Sequence, residues 1–118
     1  MAEYTIYGIK SCDTMKKAMT WLQAQNLDFE LHDYKKAGID EATLKTWLNS
    51  VGPDVLVNRR GTTWRKLSDE DKAACDSGDP DAIARVLAAN TSAIKRPVLP
   101  LGEQILVGFK EEEWREAI

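Results

Sequence analysis

The residues of this chain best suited to chemistry are a cysteine near its start, a group of arginines in its middle and an Arg-Pro pair late in the sequence. Cys12 stands in YGIKSCDTMKKAMTWL, where a β-prone run gives way to an amphipathic helix. A thiol there faces unpaired helix N–H groups and the positive end of the helix dipole. Both favour the thiolate, which is the reactive form. Lys10, just upstream, adds positive charge. The competing reading is a small apolar cysteine packed in the interior. Position 15 constrains how a reactive Cys12 would work. A dithiol oxidoreductase carries its second cysteine there, and this segment reads Cys12-Asp13-Thr14-Met15. A mixed disulfide on Cys12 must then be released by another molecule, such as glutathione, or by a distant thiol. Cys75 lies beside Asp76 in KAACDSG, where acids oppose ionisation, and reads as incidental.

Arg59, Arg60, Arg65 and Lys66 gather around Gly61 in NRRGTTWRKL. An arginine fork near a thiolate would bind a carboxylate or oxyanion in bidentate fashion and lower the thiol pKa. A solvated charged loop is the ordinary fate of such a run. Arg96-Pro97 is the third feature. Proline admits a cis peptide far more readily than other residues. In a thioredoxin-like arrangement a cis-proline before the third strand sits against the cysteine loop, and its neighbour Arg96 projects toward the thiol. A trans proline opening an edge strand is the alternative. His32 falls on the polar side of its strand and reads as exposed. Trp21, Trp47, Trp64 and Trp114 read as core or half-buried anchors. With no CxxC or HExxH spacing, no metal is expected.

The elements that position these residues follow from periodicity. Residues 4–7 are β-prone and closed by Gly8. Met15, Ala18, Met19 and Leu22 recur on one helical face, in a helix that begins near Cys12 and ends by Asn26. Leu27, Phe29 and Leu31 then alternate with Asp28, Glu30 and His32, a half-buried strand. That makes a βαβ unit with parallel strands. A second helix is expected over residues 40–49, with Leu44, Trp47 and Leu48 on one side, before Gly52-Pro53 breaks the pattern. A polar helix, a turn at Gly78-Asp79-Pro80 and a third helix through Ile83, Val86 and Leu87 complete the middle. KRPVLPLGEQILVGF gives two strands joined at Leu101-Gly102-Glu103, and KEEEWREAI a last helix with acids in its first turn. Without the middle, the order βαβ…ββα is that of a thioredoxin-type domain. The expected fold is therefore α/β and thioredoxin-like: a mixed four-stranded sheet in a single domain over 1–118, with a helical insertion at about residues 38–92.

Across the 118 residues the net charge is −3, which gives no general bias toward nucleic acid or a membrane surface. A hydrophobic fraction of 43% suffices for a core, and 30% charged residues suit a soluble surface. No apolar run approaches a membrane span, and MAEYTIYG lacks the pattern of a signal peptide. A cytoplasmic monomer is the expected state, with neither nucleic acid nor membrane as partner.

YGIKSCDTMKKAMTWL, NRRGTTWRKL, SAIKRPVL and ILVGF, taken together and in order, resemble the arsenate reductase/Spx-like (ArsC) family, and within it the YffB-type branch. The resemblance runs over nearly the whole chain. It implies the thioredoxin-like fold with its insertion, Cys12 as nucleophile, and Arg96 as an anion-binding residue before a cis Pro97. In the middle segment Arg60 matches the family arginine and Arg59 is the alternate register. Lys10 joins the anion-binding set, with Asp13 and Thr14 capping the helix at the site. The implied activity is a glutathione-dependent thiol/disulfide reductase with one catalytic cysteine and no bound cofactor. Glutathione would be the cosubstrate, and the substrate a thiol, disulfide or oxyanion. Arsenate reduction is the variant within the same chemistry. A non-enzymatic Spx-like regulator docking on a protein partner is the alternative class. Spx-like members carry CxxC, and Met15 removes that disulfide switch here.

Overall fold

A computed structural model describes residues 4–102 and 104–118. Strand β1 (Tyr4–Gly8) pairs in parallel with β2 (Phe29–Asp33), Tyr4 opposite Phe29 and Gly8 opposite Asp33. Parallel pairing needs a crossover, and helix α1 (Asp13–Ala24) supplies it. Helix α2 (Tyr34–Ala37) follows β2 directly. Strand β3 (Val98–Leu101) runs antiparallel to β1, with Val98 opposite Tyr7, and β4 (Gln104–Val107) pairs antiparallel with β3. The strand order is β2-β1-β3-β4, the mixed thioredoxin-like sheet that the connectivity implied. Of the expected β3–β4 turn, Gly102 takes φ +67°, a region open to glycine without strain, and Glu103 lies outside the described residues.

The stripe on α1 does the packing. Met15, Ala18 and Leu22 are fully buried with Trp21 beside them, against Ile6, Leu99, Leu106 and Trp114. Met19, on the flank of the stripe, is only half-buried. The C-terminal helix, called α8 in chain order (Glu111–Ala117), is anchored by Trp114. Its indole stands edge-on to Trp21 (6.1 Å) and to Phe109 (5.0 Å), and its N–H donates to the Gly108 carbonyl at 3.1 Å. Helix α1 stops before Asn26, which takes φ +61° as its residue type allows.

The backbone divides into two compact units. One holds the sheet, through Ala37 and again from Arg96; the other runs from Gly38 to Lys95. The insertion was expected over about residues 38–92. Within the second unit, α3 (Glu41–Val51) packs on α7 (Pro80–Ala89) through a face that includes Leu44, Trp47 and Leu48. Between them lie α4 (Pro53–Leu56), α5 (Thr62–Lys66) and α6 (Asp69–Asp76). Asp40, Ser68 and Asp79 cap α3, α6 and α7 by accepting backbone N–H bonds of 2.8, 3.1 and 3.1 Å. Leu67, Cys75 and Val86 form a smaller core beneath Trp64. A lone bridge from Val57 to Ile94 ties the two ends of this unit. The short helices α2, α4 and α5 were not anticipated, because four or five residues are too few to show a helical period. Among the described residues no helix is long and apolar enough to cross a membrane.

Candidate active site

The chain leaves β1 at Gly8, and its next residues form a tight loop in which the Cys12 N–H donates to the Ile9 carbonyl at 3.1 Å. The Cys12 carbonyl in turn accepts the Lys16 N–H at 3.1 Å, the first bond of α1. Cys12 is therefore itself the N-cap residue, with extended φ −79° and ψ 131°. This corrects the expectation that Asp13 and Thr14 cap the helix: they are its first helical residues. A neutral thiol accepts hydrogen bonds weakly, and no side-chain capping bond is present. An ionised sulfur is a different acceptor. Burial alone would push the Cys12 thiol up. The Met15 N–H, the Arg96 guanidinium, the Thr14 N–H and the Arg96 charge together outweigh that and hold it below its ordinary value. The thiolate takes the place that a serine or aspartate oxygen fills in other helices.

Arg96 reaches this sulfur from the far end of the sequence. The Arg96–Pro97 peptide is cis, and the Pro97 carbonyl accepts the Gly108 N–H at 2.8 Å. Pro97 is buried and Arg96 half-buried. The pairing of Val98 with Tyr7 sets this segment beside the end of β1, where the cysteine loop begins. Lys10 is exposed, and the positive charge acting on the thiol is that of Arg96.

Met15 serves the site through its backbone only. Its side chain is fully buried and packs so closely on Gly8 that a Cβ there would collide with the thioether.

One aromatic residue near the site, Tyr34, escaped the sequence reading. Tyr34 is 2% exposed, and its hydroxyl has no hydrogen-bond partner among the described residues. Burial and nearby Tyr7 push its pKa far up, against the opposing pull of Arg96. The Tyr7 and His32 rings lie 4.8 Å apart and the His32 and Tyr34 rings 6.3 Å apart. His32 is thus half-buried, not exposed as its place in the alternation suggested: rings from β1 and α2 cover its face of the sheet. One signal could have pointed to Tyr34. It follows the carboxyl end of a strand parallel to β1, the end at which α/β sheets place their ligands.

The other candidates lie in the helical unit. Arg59 pairs with Asp54 at 3.1 Å and Asp76 at 2.8 Å, with its guanidinium 5.4 Å from the Trp64 ring centre. Arg59 is half-buried, and both of its carboxylate partners are exposed. The Arg60 side chain is exposed, and its backbone N–H donates to Asn58 Oδ1 at 3.3 Å. Arg65 is exposed as well. Cys75 is 1% exposed; burial pushes its thiol up, Arg59 pulls it down, and Asp76 and Asp71 push it up again, for a net rise. Among the described residues no group of three His, Cys, Asp or Glu is placed to hold a metal.

A mixed sheet with a cysteine at the head of its first helix and a cis-proline opening its third strand defines a protein of the thioredoxin-like class. Within that class the chain belongs to the ArsC family, whose model matches residues 7–117. An uncharacterized protein from Haemophilus influenzae is 44% identical over 113 residues, 96% of either chain. The structure of a protein named YFFB aligns at TM-score 0.88 with 46% identity, covering 97% of both chains. The solution structure of an arsenate reductase (ArsC) related protein from Brucella melitensis aligns at TM-score 0.72 with 42% identity, covering 98% of this chain and 93% of that one.

Proposed function

We propose that the protein is a thiol–disulfide reductase that works through Cys12 alone and uses glutathione as cosubstrate. The observation that carries this reading is the Cys12 sulfur held toward its anion by Met15 and Thr14 N–H groups and by Arg96. The thiolate attacks one sulfur of a substrate disulfide. A bond forms from Cys12 to that sulfur, the substrate S–S bond breaks, and the departing thiolate takes a proton from solvent. When the captured sulfur is that of glutathione, a second glutathione thiolate attacks it. Oxidised glutathione leaves with both electrons' worth of oxidation, and Cys12 returns as thiolate. Arg96, which already acts on the Cys12 sulfur, is the guanidinium offered to a carboxylate of the captured tripeptide on this reading. The family resemblance assigns Arg60 to anion binding as a second guanidinium.

The test is turnover of a glutathione mixed disulfide with reduced glutathione present, followed by intact-protein mass. The expected result is catalysis, a glutathione adduct on Cys12 and no activity in Cys12→Ser. Absence of both turnover and adduct would remove the reading. Arsenate offered under the same conditions tests the variant in which the same thiolate attacks an oxyanion. An Spx-like regulator needs a reversible disulfide as its signal, and the buried Met15 leaves Cys12 without the local partner for one.

A further inference from the structure

A cavity of about 450 Å³ adjoins the Cys12 loop, lined by Ile9, Lys10, Lys16, Asp33, Lys35 and Lys36. The β1–β2 register explains the gathering. Gly8 lies opposite Asp33, so the segments leaving the two strands carry Lys10 and Lys35 out side by side, and Lys16 joins them from the first turns of α1. The wall of the cavity is almost entirely apolar, built from Ile9 and the aliphatic stems of four exposed lysines; their ammonium groups lie outside it, and with one carboxylate they make its surroundings cationic in a chain whose net charge is −3. The single acid is engaged locally, since Asp33 accepts the Lys35 backbone N–H at 2.9 Å. The ion pairs found among the described residues join Lys45 to Asp81, Arg59 to Asp54 and Asp76, and Arg115 to Glu111; none draws on these four lysines.

The chemistry of lysine narrows what such a cavity would hold. An ammonium is a mobile point charge and not a planar fork, so several of them suit carboxylates in variable positions better than one rigid oxyanion. Their aliphatic stems, with Ile9, give apolar contact to a peptide backbone. Glutathione carries a single net negative charge, and Arg96 already offers a partner for one of its carboxylates. A surplus of three positive charges calls for a more acidic ligand.

We propose that this cavity selects the substrate by seating the peptide chain that carries the oxidised sulfur on its apolar wall while the surrounding ammonium groups take acidic side chains flanking that sulfur. The proposal rests on the reductase reading of Cys12 and adds the substrate class. Two peptide–glutathione mixed disulfides test it, one with Asp and Glu beside the cysteine and one with Asn and Gln in the same places. At low ionic strength the acidic peptide should have a kcat/KM about tenfold higher. That ratio should shrink toward unity at an ionic strength of ~0.5 M, where the screening length falls to a few ångströms. Lys16→Gln, Lys35→Gln and Lys36→Gln combined should also bring it to unity at low salt. Equal values for the two peptides with the unaltered protein would overturn the proposal. A second measurement needs no turnover: titration of the protein with the reduced acidic peptide, followed by amide chemical shifts. Shifts confined to residues 9–16 and 33–36 support the cavity, and none there overturns it, even if every mixed disulfide proves inert and the reductase reading falls. Glutathione displacing the peptide from those same amides would give the cavity to the cosubstrate and also overturn the proposal.

Discussion

Replacing Arg96 by Ala removes two of the four influences that hold the Cys12 thiol low, a hydrogen bond and a charge, and leaves the Met15 and Thr14 N–H groups in place. A hydrogen bond to a charged group contributes about 1.5–3 kcal/mol. Cys12 is only half-buried, so solvent screening reduces that to about 1 kcal/mol. Below both pKa values this is about a fivefold loss of thiolate. The alkylation rate should fall by less. A thiolate of higher pKa is a better nucleophile, with a Brønsted slope of about 0.4–0.5, which restores nearly half of the loss on a logarithmic scale. Arg96→Ala should therefore react about two- to threefold more slowly than the unaltered protein below both thiol pKa values and about twofold faster above both, where the sulfur is ionised in either protein. The two profiles must cross. The assay is pseudo-first-order alkylation by iodoacetamide across pH, with the Cys12 and Cys75 adducts resolved by peptide mass. A variant that merely loosens the fold would expose the thiol and react faster at every pH. Profiles that share one midpoint and never cross would show that Arg96 does not act on the sulfur.

The same thiol leaves a mark on stability. Its folded pKa is lowered, so the contribution of its ionisation is fully present above the unfolded thiol value and is lost as pH falls through the folded one. In chemical denaturation the unaltered protein should gain stability relative to Cys12→Ser as pH rises through the folded thiol value toward the unfolded one, about 8.5, and level off above it; a difference independent of pH refutes the lowered value. In the sheet unit, Trp114→Ala should cost about 3–5 kcal/mol, since a fully buried indole packed on Trp21 and Phe109 is lost. A cost under about 1 kcal/mol in the same measurement would mean that α8 is not anchored through this ring.

The legible parts of the molecule were those governed by short-range pattern. The spacing of Met15, Ala18 and Leu22 marked the inward face of α1, and a strand, helix and strand in close succession imposed the parallel β1–β2 pair. Asn26 ended the helix as its side chain permits. Cys12 could be nominated because a helix start acts on whatever residue occupies it, and Arg96 because its neighbour is a proline. What stayed hidden depends on register. The four lysines of the cavity are scattered along the chain and meet only because Gly8 pairs with Asp33. His32 alternates as an outward residue, yet rings contributed by β1 and α2 cover it. The double arginine was ambiguous for another reason. Two like residues in succession offer the same chemistry, and only the ion pairs of Arg59 with Asp54 and Asp76 distinguish it from exposed Arg60.

The absence of a second cysteine near Cys12 has its cause in the core. The site where a dithiol enzyme carries its resolving thiol is here the first position of the buried stripe of α1, filled by a methionine that closes on Gly8. Helix geometry separates the two demands made on that residue. Its side chain turns inward to the sheet, while its N–H, among the unpaired donors at the helix start, is left for the sulfur. Thiolate stabilisation is thus insensitive to which side chain packs at position 15, and internal resolution is not. Cys75, 1% exposed, is closed to a disulfide on Cys12 unless its own core opens. Cys12, by contrast, is only half-buried, at the loop that opens α1. On the reductase reading proposed above, a disulfide formed on this sulfur is resolved from solution, with Arg96 offered to the carboxylate of the resolving thiol and the cationic surface around the loop to the substrate.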